Sequence, residues 1–284
     1  MENYQTIESA RKFARGITQI MRDNGGQLPI SEPETHGKGF FTFFAGDMVI
    51  RIARYEETCA LITKEAEILQ NIHRSVPGVY TPRVFKSDAE NGYMVTERLP
   101  GSPLTAKVLE SLSQDDQDVI AEKLGKFLAS FHAGPADART IMRTDPWYSR
   151  VRELDDMHRA IAFSTPDTEL SRLWAARAYV AKNDMLPDRF VQSHCDLNPT
   201  NIIYDVGLKT LGVSDFGHVR TNFAHMDFAM LKTVYPQAFV EKCAASYREA
   251  GGHSVRMDMV RMAQDVNYIH THQPSEGKPF KFTP

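Results

Sequence analysis

The sequence predicts an α+β fold with a β-rich N-terminal lobe and a mainly helical C-terminal lobe, and three observations carry this prediction. Runs of aromatic and β-branched residues fill much of the N-terminal third of the chain, with helical patterns among them. The segment Pro100–Pro103 then places two prolines and a glycine within four residues, which favours a linker over a continuing helix or strand. Beyond it, apolar residues recur mainly at helical spacing. We therefore expect two lobes, residues 1–99 and residues 100–284.

The N-terminal lobe is predicted to contain two helices and two hairpins. Apolar residues spaced by three and four positions predict an amphipathic helix over residues 5–21 and another over residues 57–73. Gly46 separates two strand-like runs, and the favoured turn dipeptide Asn91-Gly92 separates two more. The four strands are expected at Phe40–Phe44, Met48–Ile52, Arg83–Phe85 and Tyr93–Glu97.

The C-terminal lobe is predicted to be helical apart from one short β insert. Helical periodicity covers residues 115–133, residues 166–183 and the segment from residue 225 to about residue 272. Two short strand-like runs, Asn201–Tyr204 and Leu211–Ser214, lie on either side of a turn at Gly207. We expect these two runs to form a small hairpin inside the helical lobe.

Composition excludes several classes of function. The 284 residues carry 33 basic and 36 acidic side chains, a net charge of −3, without a cluster of Lys and Arg of the kind that binds nucleic acid. No apolar run approaches the roughly 18 residues that a membrane span requires. The cysteines Cys59, Cys195 and Cys243 are too few and too far apart for a disulfide framework or a zinc site. With no secretory signal visible at the start, a cytoplasmic location is expected.

Polar residues with chemical potential converge around the predicted β insert. Asp196 and Asn201 lie just before its first strand, and Asp215 lies just after its second, so antiparallel pairing is expected to bring them to one end of the hairpin. Neighbouring carboxylates repel each other unless a cation lies between them, and oxygen ligands suit Mg²⁺ when phosphate completes its coordination. Asp196 is then available to accept a proton from a hydroxyl nucleophile.

At these residues the sequence resembles the protein-kinase-like superfamily, and within it the branch of aminoglycoside phosphotransferases and choline kinases. The shared features are the loop His194-x-Asp196-Leu197-x-Pro199-x-Asn201-Ile202 and the metal motif Asp215-Phe216-Gly217. Asp227-Phe228-Ala229 is similar to the short segment that supports the catalytic loop in that family. The resemblance implies a bilobal kinase-like fold, Asn201 and Asp215 as Mg²⁺ ligands, and ATP, or alternatively GTP, as phosphate donor.

A phosphotransferase of this kind needs a cation on a strand and a carboxylate on a helix to position it, and both are present in the N-terminal lobe. The period-two alternation of a strand places Val49 and Arg51 on the same face, so Val49 is expected over the adenine and Arg51 near the phosphates. Glu65 interrupts the apolar stripe of the second helix. A buried carboxylate needs a cation, and we expect Arg51 to be its partner.

Two further segments resemble nucleotide-binding parts of the family. The stretch that ends the predicted hinge strand and enters Pro100-Gly101 implies that backbone groups around Glu97 and Leu99 bind the adenine edge. Gly37 and Gly39 lie in a short turn before the first strand, and this turn is equally consistent with phosphate contact and with a plain connection.

The sequence therefore predicts an ATP-dependent phosphotransferase that acts on a hydroxyl of a small molecule, such as an aminoglycoside-like antibiotic, an amino alcohol or a sugar. Two alternatives stay open. A protein kinase is disfavoured because Asn198 stands where Ser/Thr kinases carry Lys, and because no Ala-Pro-Glu segment follows Asp215. A nucleotide-binding pseudokinase is disfavoured because all three polar positions of the predicted site are present. The acceptor and the oligomeric state are not readable from the sequence.

Overall fold

The computed structural model describes residues 6–21, 29–34, 39–72, 78–134, 190–261 and 263–264. The chain divides into two compact units. The first consists of Met1–Ser113 and Asn198–Val219, and the second of Gln114–Leu197 and Arg220–Pro284. The helix predicted over residues 166–183 lies outside the described residues, and so does Gly37. The lobe boundary between residues 99 and 100 stays a prediction.

Within the described ranges the secondary structure is mixed, which confirms the α+β class. The helices are α1 (Ile7–Ile20), α2 (Glu56–Ile72), α3 (Ala106–Ser111), α4 (Gln114–His132), α5 (Ala224–Val234) and α6 (Gln237–Glu249). The strands are β1 (Phe40–Ala45), β2 (Met48–Ala53), β3 (Val84–Asp88), β4 (Tyr93–Glu97), β5 (Ser102–Pro103), β6 (Phe190–Ser193), β7 (Ile202–Asp205), β8 (Thr210–Val213) and β9 (Arg220–Phe223).

The N-terminal part of the first unit is an antiparallel four-stranded sheet in the order β1-β2-β4-β3. Alternating side chains of β1 and β2 point to opposite faces, as the pleat of a strand requires. One face packs its apolar residues against Ala10, Ala14 and Ile17 of α1. The other face packs against Ile62 and Ala66 of α2. Both predicted hairpins and both predicted helices of this region are confirmed.

The segment predicted to be a linker contributes a short strand, which corrects the sequence-based expectation. Ser102 and Pro103 form β5, which pairs antiparallel with β7 at the edge of a three-stranded sheet. An edge strand accepts proline because its missing N–H is not needed on the open side. Gly101 makes this approach possible: its φ is +104°, and a Cβ there would lie 2.4 Å from the backbone oxygen of Tyr204.

The second unit contains a two-stranded sheet that the sequence did not indicate. β6 pairs antiparallel with β9 over four residue pairs. The Arg220–Phe223 strand contains Arg, Thr and Asn in a row, so it lacks the β-branched alternation by which a strand is recognised. The sheet is therefore a product of tertiary pairing and not of local preference.

The helices α4 and α6 pack closely in the second unit. Gly125 of α4 is the reason for the close approach, since a Cβ at this position would lie 2.3 Å from the backbone oxygen of Cys243 and 2.9 Å from the backbone nitrogen of Tyr247. The approach brings Tyr247, which is fully buried, within reach of the C-terminal end of α4. In the described part of the chain, no helix combines the length and the apolarity that crossing a membrane requires.

Candidate active site

Arg51 is the central cation of the first unit. It lies on β2, on the face of the sheet that packs against α2, and its side chain is 13% exposed. Val49 shares that face and is also partly exposed, in agreement with the predicted strand period. The ring of Phe40, on the neighbouring strand β1, lies 4.3 Å from the guanidinium carbon, a distance typical of a cation–π contact.

Glu65 projects from α2 towards Arg51 and is 2% exposed. Its Oε2 accepts a hydrogen bond of 2.6 Å from Nη1 of Arg51, so the ion pair predicted from the helical stripe is present. Its Oε1 accepts a hydrogen bond of 3.1 Å from the backbone N–H of Phe216. Burial raises the pKa of Glu65, and the neighbouring Asp215 charge adds to this rise, whereas Arg51 opposes it.

Asp215 is the second carboxylate at the guanidinium. Its Oδ1 lies 3.2 Å from Nη2 of Arg51, so one guanidinium fork engages two carboxylates. Asp215 has φ +61° and ψ +69°, a left-handed conformation uncommon for a residue other than glycine. The 3₁₀ turn Phe216–His218 follows directly and places the Phe216 N–H on Glu65. Strained backbone of this kind is characteristic of functional sites.

Asn201 and Asp215 lie at the same end of the β7–β8 hairpin, as the sequence predicts. The last pair of the hairpin is Ile202 opposite Val213, so both residues lie just beyond it. The backbone N–H of Ser214 donates a 2.9 Å hydrogen bond to the carbonyl oxygen of Asn201, which closes this end of the hairpin. The first unit thus collects Arg51, Glu65, Asn201 and Asp215.

The predicted hinge residues also belong to the first unit. Glu97 ends β4, and its backbone N–H donates a 2.8 Å hydrogen bond to the carbonyl oxygen of Arg83. Its carboxylate accepts a 3.3 Å hydrogen bond from the Arg83 N–H, so the side chain is directed at the neighbouring strand. Leu99 is partly exposed and lies over Gly212, where a Cβ would be 2.8 Å from its Cδ1.

Asp196 belongs to the second unit, in the loop that follows β6. The backbone of this loop is held by Asp227, which lies on α5 and is fully buried. Its Oδ2 accepts the N–H of His194 at 2.8 Å, and its Oδ1 accepts the N–H of Cys195 at 2.7 Å. Cys195 has φ +61°, so the two hydrogen bonds stabilise a strained residue immediately before Asp196.

Comparison with known proteins agrees with this geometry. The family model described as the phosphotransferase enzyme family matches residues 36–263. The chain belongs to this phosphotransferase family. No match was found among curated protein sequences.

Solved structures of the same fold include antibiotic phosphotransferases. A macrolide 2′-phosphotransferase from Brachybacterium faecium is 23% identical, with a TM-score of 0.64 over 90% of this chain and 89% of that one. The type I macrolide 2′-phosphotransferase is 20% identical, with a TM-score of 0.66 over 95% and 93%. The ternary complex of APH(2″)-IIa with streptomycin and ATP is 16% identical, with a TM-score of 0.65 over 89% and 86%. These similarities establish the kinase-like fold.

The phosphotransferase family assignment makes this chain a kinase-type enzyme whose acceptor is an alcohol group. The described residues that bear on the chemistry are distributed over both compact units. Arg51, Glu65, Asn201 and Asp215 belong to the first, and Asp196 belongs to the second.

Sequence reasoning missed two side chains next to Asp227 in this phosphotransferase. Nε2 of His132, the last residue of α4, lies 2.9 Å from Oδ2 of Asp227, and its Nδ1 lies 3.0 Å from the hydroxyl of Tyr247 on α6. His132 falls four residues after Leu128 and so continues the buried stripe of α4. A polar residue on an apolar stripe requires a partner, and this was the signal that could have found it.

Hydrogen bonding decides the electrostatics of Asp227. Burial alone would raise the pKa of its carboxyl, but the bond and the charge interaction with His132, the charge interaction with His194 and the N–H of Cys195 outweigh it. The pKa of Asp227 is therefore lowered. The carboxylate is held ionised as an acceptor for the loop backbone of the phosphotransferase.

Proposed function

We propose that this phosphotransferase moves the γ-phosphate of ATP, in the presence of Mg²⁺, to a hydroxyl group of a small molecule. The observation that carries the proposal is the single guanidinium of Arg51 held by Glu65 and Asp215, at the end of the hairpin that also presents Asn201. A buried cation beside oxygen ligands is the arrangement that positions and neutralises a polyphosphate.

In this proposal Arg51 binds the nucleotide phosphates, and Glu65 orients the guanidinium of Arg51. The guanidinium is fixed from two sides by carboxylates and is covered by the Phe40 ring, so few of its rotamers are available. Both carboxylates raise the pKa of Arg51 against the opposing effect of burial, and the guanidinium stays charged. A fixed positive charge stabilises phosphate without reorganising during the reaction.

Mg²⁺ is proposed to bind Asn201 and Asp215. The two side chains supply an amide oxygen and a carboxylate oxygen at one end of the same hairpin, which are hard ligands suited to Mg²⁺. Two protein ligands are few, and Mg²⁺ accepts this number when phosphate oxygens and water complete its octahedron. The metal would neutralise the charge that develops on the transferred phosphoryl group.

Asp196 is proposed to orient the acceptor hydroxyl and accept its proton. Its backbone N–H lies 3.3 Å from Nδ1 of His194, and the preceding peptide is fixed by Asp227. The carboxylate is therefore carried by a short loop whose backbone is anchored on a buried helix. General-base assistance by such a group contributes about 10²–10⁴-fold to a transfer rate.

The nucleotide base is proposed to lie at the hinge formed by Glu97 and Leu99, with Val49 on the β2 strand above it. The solved relatives support nucleotide binding, since their complexes contain ATP, ADP or GDP. Both ATP and GTP are therefore tested as phosphate donors. Complexes among the solved structures also contain the aminoglycosides kanamycin, streptomycin or gentamicin, and the two relatives of highest identity reported above are named as macrolide phosphotransferases.

The experiment uses the full-length purified chain with γ-labelled ATP or GTP and Mg²⁺. Acceptors are macrolides, aminoglycosides, amino alcohols, sugars and a protein mixture, each assayed for label transfer. We expect transfer to one hydroxylated small-molecule class, and Asp196→Asn should reduce its rate by about 10²–10⁴-fold without changing nucleotide affinity.

Two results contradict the proposal. Unchanged turnover in Asp196→Asn would contradict the role of Asp196 as the general base. Label transfer to protein and to no small molecule would instead favour the protein-kinase alternative. A matched control is Asp205→Asn, which changes a carboxylate at the opposite end of the same hairpin and should leave transfer unchanged.

A further inference from the structure

The interior of the second unit contains a hydrogen-bonded chain that ends at the catalytic loop. Its members are Tyr247, His132 and Asp227, and each is at most 5% exposed. They come from three helices, α6, α4 and α5, and meet only in the folded state. The proposed function assigns no role to Tyr247 or to His132.

One hydrogen bond of this chain has a fixed direction. The carboxylate of Asp227 only accepts hydrogen bonds, so Nε2 of His132 is the donor across their 2.9 Å contact. At the other side of the imidazole, Nδ1 lies 3.0 Å from the hydroxyl of Tyr247, which is hydrogen-bond distance.

The chain also fixes the orientation of the imidazole ring. The ring of Tyr247 packs edge-on to that of His132, with centroids 5.3 Å apart and an interplanar angle of 72°. Phe131 and Phe228 fill the adjacent space, Phe228 at 5.2 Å from the Tyr247 ring. Both polar rings are buried, and close packing of a protein interior restricts the rotation of such side chains.

The consequence for the loop comes through the shared oxygen of Asp227. Oδ2 accepts hydrogen bonds from Nε2 of His132 and from the backbone N–H of His194, and Oδ1 accepts one from the backbone N–H of Cys195. The His132 bond fixes the carboxylate rotamer in which both oxygens face the loop. That rotamer in turn holds Cys195 at its positive φ, and the direction of Asp196 follows from the backbone of Cys195.

We propose that His132 and Tyr247 are positioning residues for catalysis, which act through Asp227 to hold the backbone that aims Asp196. This inference rests on the proposed function, since it assumes that Asp196 orients the acceptor hydroxyl. It extends beyond Asp227 itself, which contacts the loop directly. Within the described residues, neither His132 nor Tyr247 has a hydrogen bond of its own to the loop backbone.

The test compares four variants of the full-length chain. His132→Leu removes the donor to Asp227, and His132→Gln offers a side-chain amide that can replace Nε2. Tyr247→Phe removes only the hydroxyl that orients the imidazole. Tyr235→Phe is the matched control, because it deletes the hydroxyl of another buried tyrosine in the same unit.

Turnover is measured with the acceptor class that the label-transfer assay identifies. We expect His132→Leu to lower kcat by about 10–100-fold, the effect of losing a hydrogen bond to a charged group, and His132→Gln to recover most of it. Tyr247→Phe should lower kcat by about 2–10-fold. The KM for nucleotide should stay unchanged, because the residues proposed to bind phosphates belong to the other compact unit.

Amide hydrogen exchange supplies a readout that does not need activity. The segment over residues 190–197 should exchange faster in His132→Leu and Tyr247→Phe than in the wild type and in Tyr235→Phe. Residues 202–213 in the first unit serve as the internal reference. If His132→Leu does not fold, the comparison of Tyr247→Phe and His132→Gln with the wild type decides.

A purely structural role predicts a different result. Thermal stability would fall, while kcat per folded molecule and exchange over residues 190–197 would match the wild type, and this would overturn the inference. If the wild type transfers no phosphate to any acceptor, the proposed function fails. The exchange measurement then still decides whether His132 and Tyr247 hold the loop.

Discussion

Among the described residues, each compact unit contains one buried carboxylate, and the two carboxylates are stabilised in opposite ways. Glu65 in the first unit is paired with a guanidinium, but a second carboxylate shares that guanidinium, and the pKa of Glu65 is raised. Asp227 in the second unit is surrounded by N–H donors, and its pKa is lowered. Both carboxyl groups are buried, but the Asp215 charge adds to the raised pKa of Glu65, whereas the hydrogen bonds and charges around Asp227 outweigh its burial.

This difference assigns separate tasks to the two regions. The cluster of Arg51, Glu65 and Asp215 carries two negative charges against one positive charge, so it has room for a further cation, in agreement with the proposed Mg²⁺. The network around Asp227 pairs its carboxylate oxygens with loop amides and a ring nitrogen, which suits a structural support. Four predictions test this contrast.

The largest expected effect is a loss of Mg-nucleotide affinity in a variant of the first unit. Asp215→Ala removes a proposed Mg²⁺ ligand and should weaken Mg-nucleotide binding by more than about 100-fold, measured by calorimetric titration. Asp205→Asn is the control and should bind normally. Equal affinity of wild type and Asp215→Ala at the same Mg²⁺ concentration would contradict the metal assignment.

The next effect is on the stability of the second unit. Asp227→Asn replaces one acceptor oxygen with an amide that faces N–H donors, so it should lower the free energy of unfolding by about 2–4 kcal/mol. Denaturant titration followed by circular dichroism measures this change. The nucleotide affinity of the folded fraction should stay normal. A loss of nucleotide affinity without a loss of stability would contradict the structural role of Asp227.

Glu65→Gln should show the complementary pattern. The substitution loses an ion pair but also removes a desolvated charge next to Asp215, and Arg51 keeps Asp215 as its partner. The free energy of unfolding should therefore fall by less than it does in Asp227→Asn. The KM for nucleotide should rise by about tenfold, because Arg51 is then oriented from one side only. A destabilisation as large as that of Asp227→Asn would show that the two carboxylates are structurally equivalent.

The smallest effect is on the pH dependence of stability, and its sign differs between the regions. The folded pKa of Asp227 lies below its usual 3.8, so its stabilisation is complete above that value and is lost as the pH falls through the lowered pKa. The stability gap between wild type and Asp227→Asn should therefore narrow in acid.

For Glu65 the sign is opposite. Its folded pKa lies above its usual 4.5, so the stabilising form is the protonated one, which is complete below 4.5 and is lost as the pH rises through the raised pKa. The wild type should therefore gain stability relative to Glu65→Gln as the pH is lowered. Unfolding midpoints collected from about pH 2 to pH 8 measure both slopes, because the Asp227 transition lies below 3.8 and the Glu65 transition lies above 4.5. Parallel slopes for the two variants would contradict the assignment.

Local pattern was sufficient to predict most of the first unit. The hairpins, the helix carrying Glu65 and its pairing with Arg51 follow from strand and helix periods together with the rule that a buried charge needs a partner. The pair is only 14 residues apart, on adjacent elements, which makes such reasoning effective.

Long-range partners were out of reach of that reasoning. His132 is 95 residues from Asp227 and 115 residues from Tyr247, and no local period connects helices so distant along the chain. The two-residue strand at Ser102–Pro103 and the polar strand at Arg220–Phe223 were missed for the same reason. Each is a strand because a partner lies beside it and not because its own residues prefer extended backbone.

The amino-acid order by itself determined the α+β class, the family resemblance and the polar residues of the proposed phosphoryl-transfer site, because motifs and periodicity are properties of neighbouring residues. Tertiary structure alone decided the left-handed backbone at Cys195 and Asp215 and the buried hydrogen-bonded chain from Tyr247 to Asp227. Strained backbone and buried polar groups persist only where distant elements supply the compensating contacts, and those contacts exist only after folding.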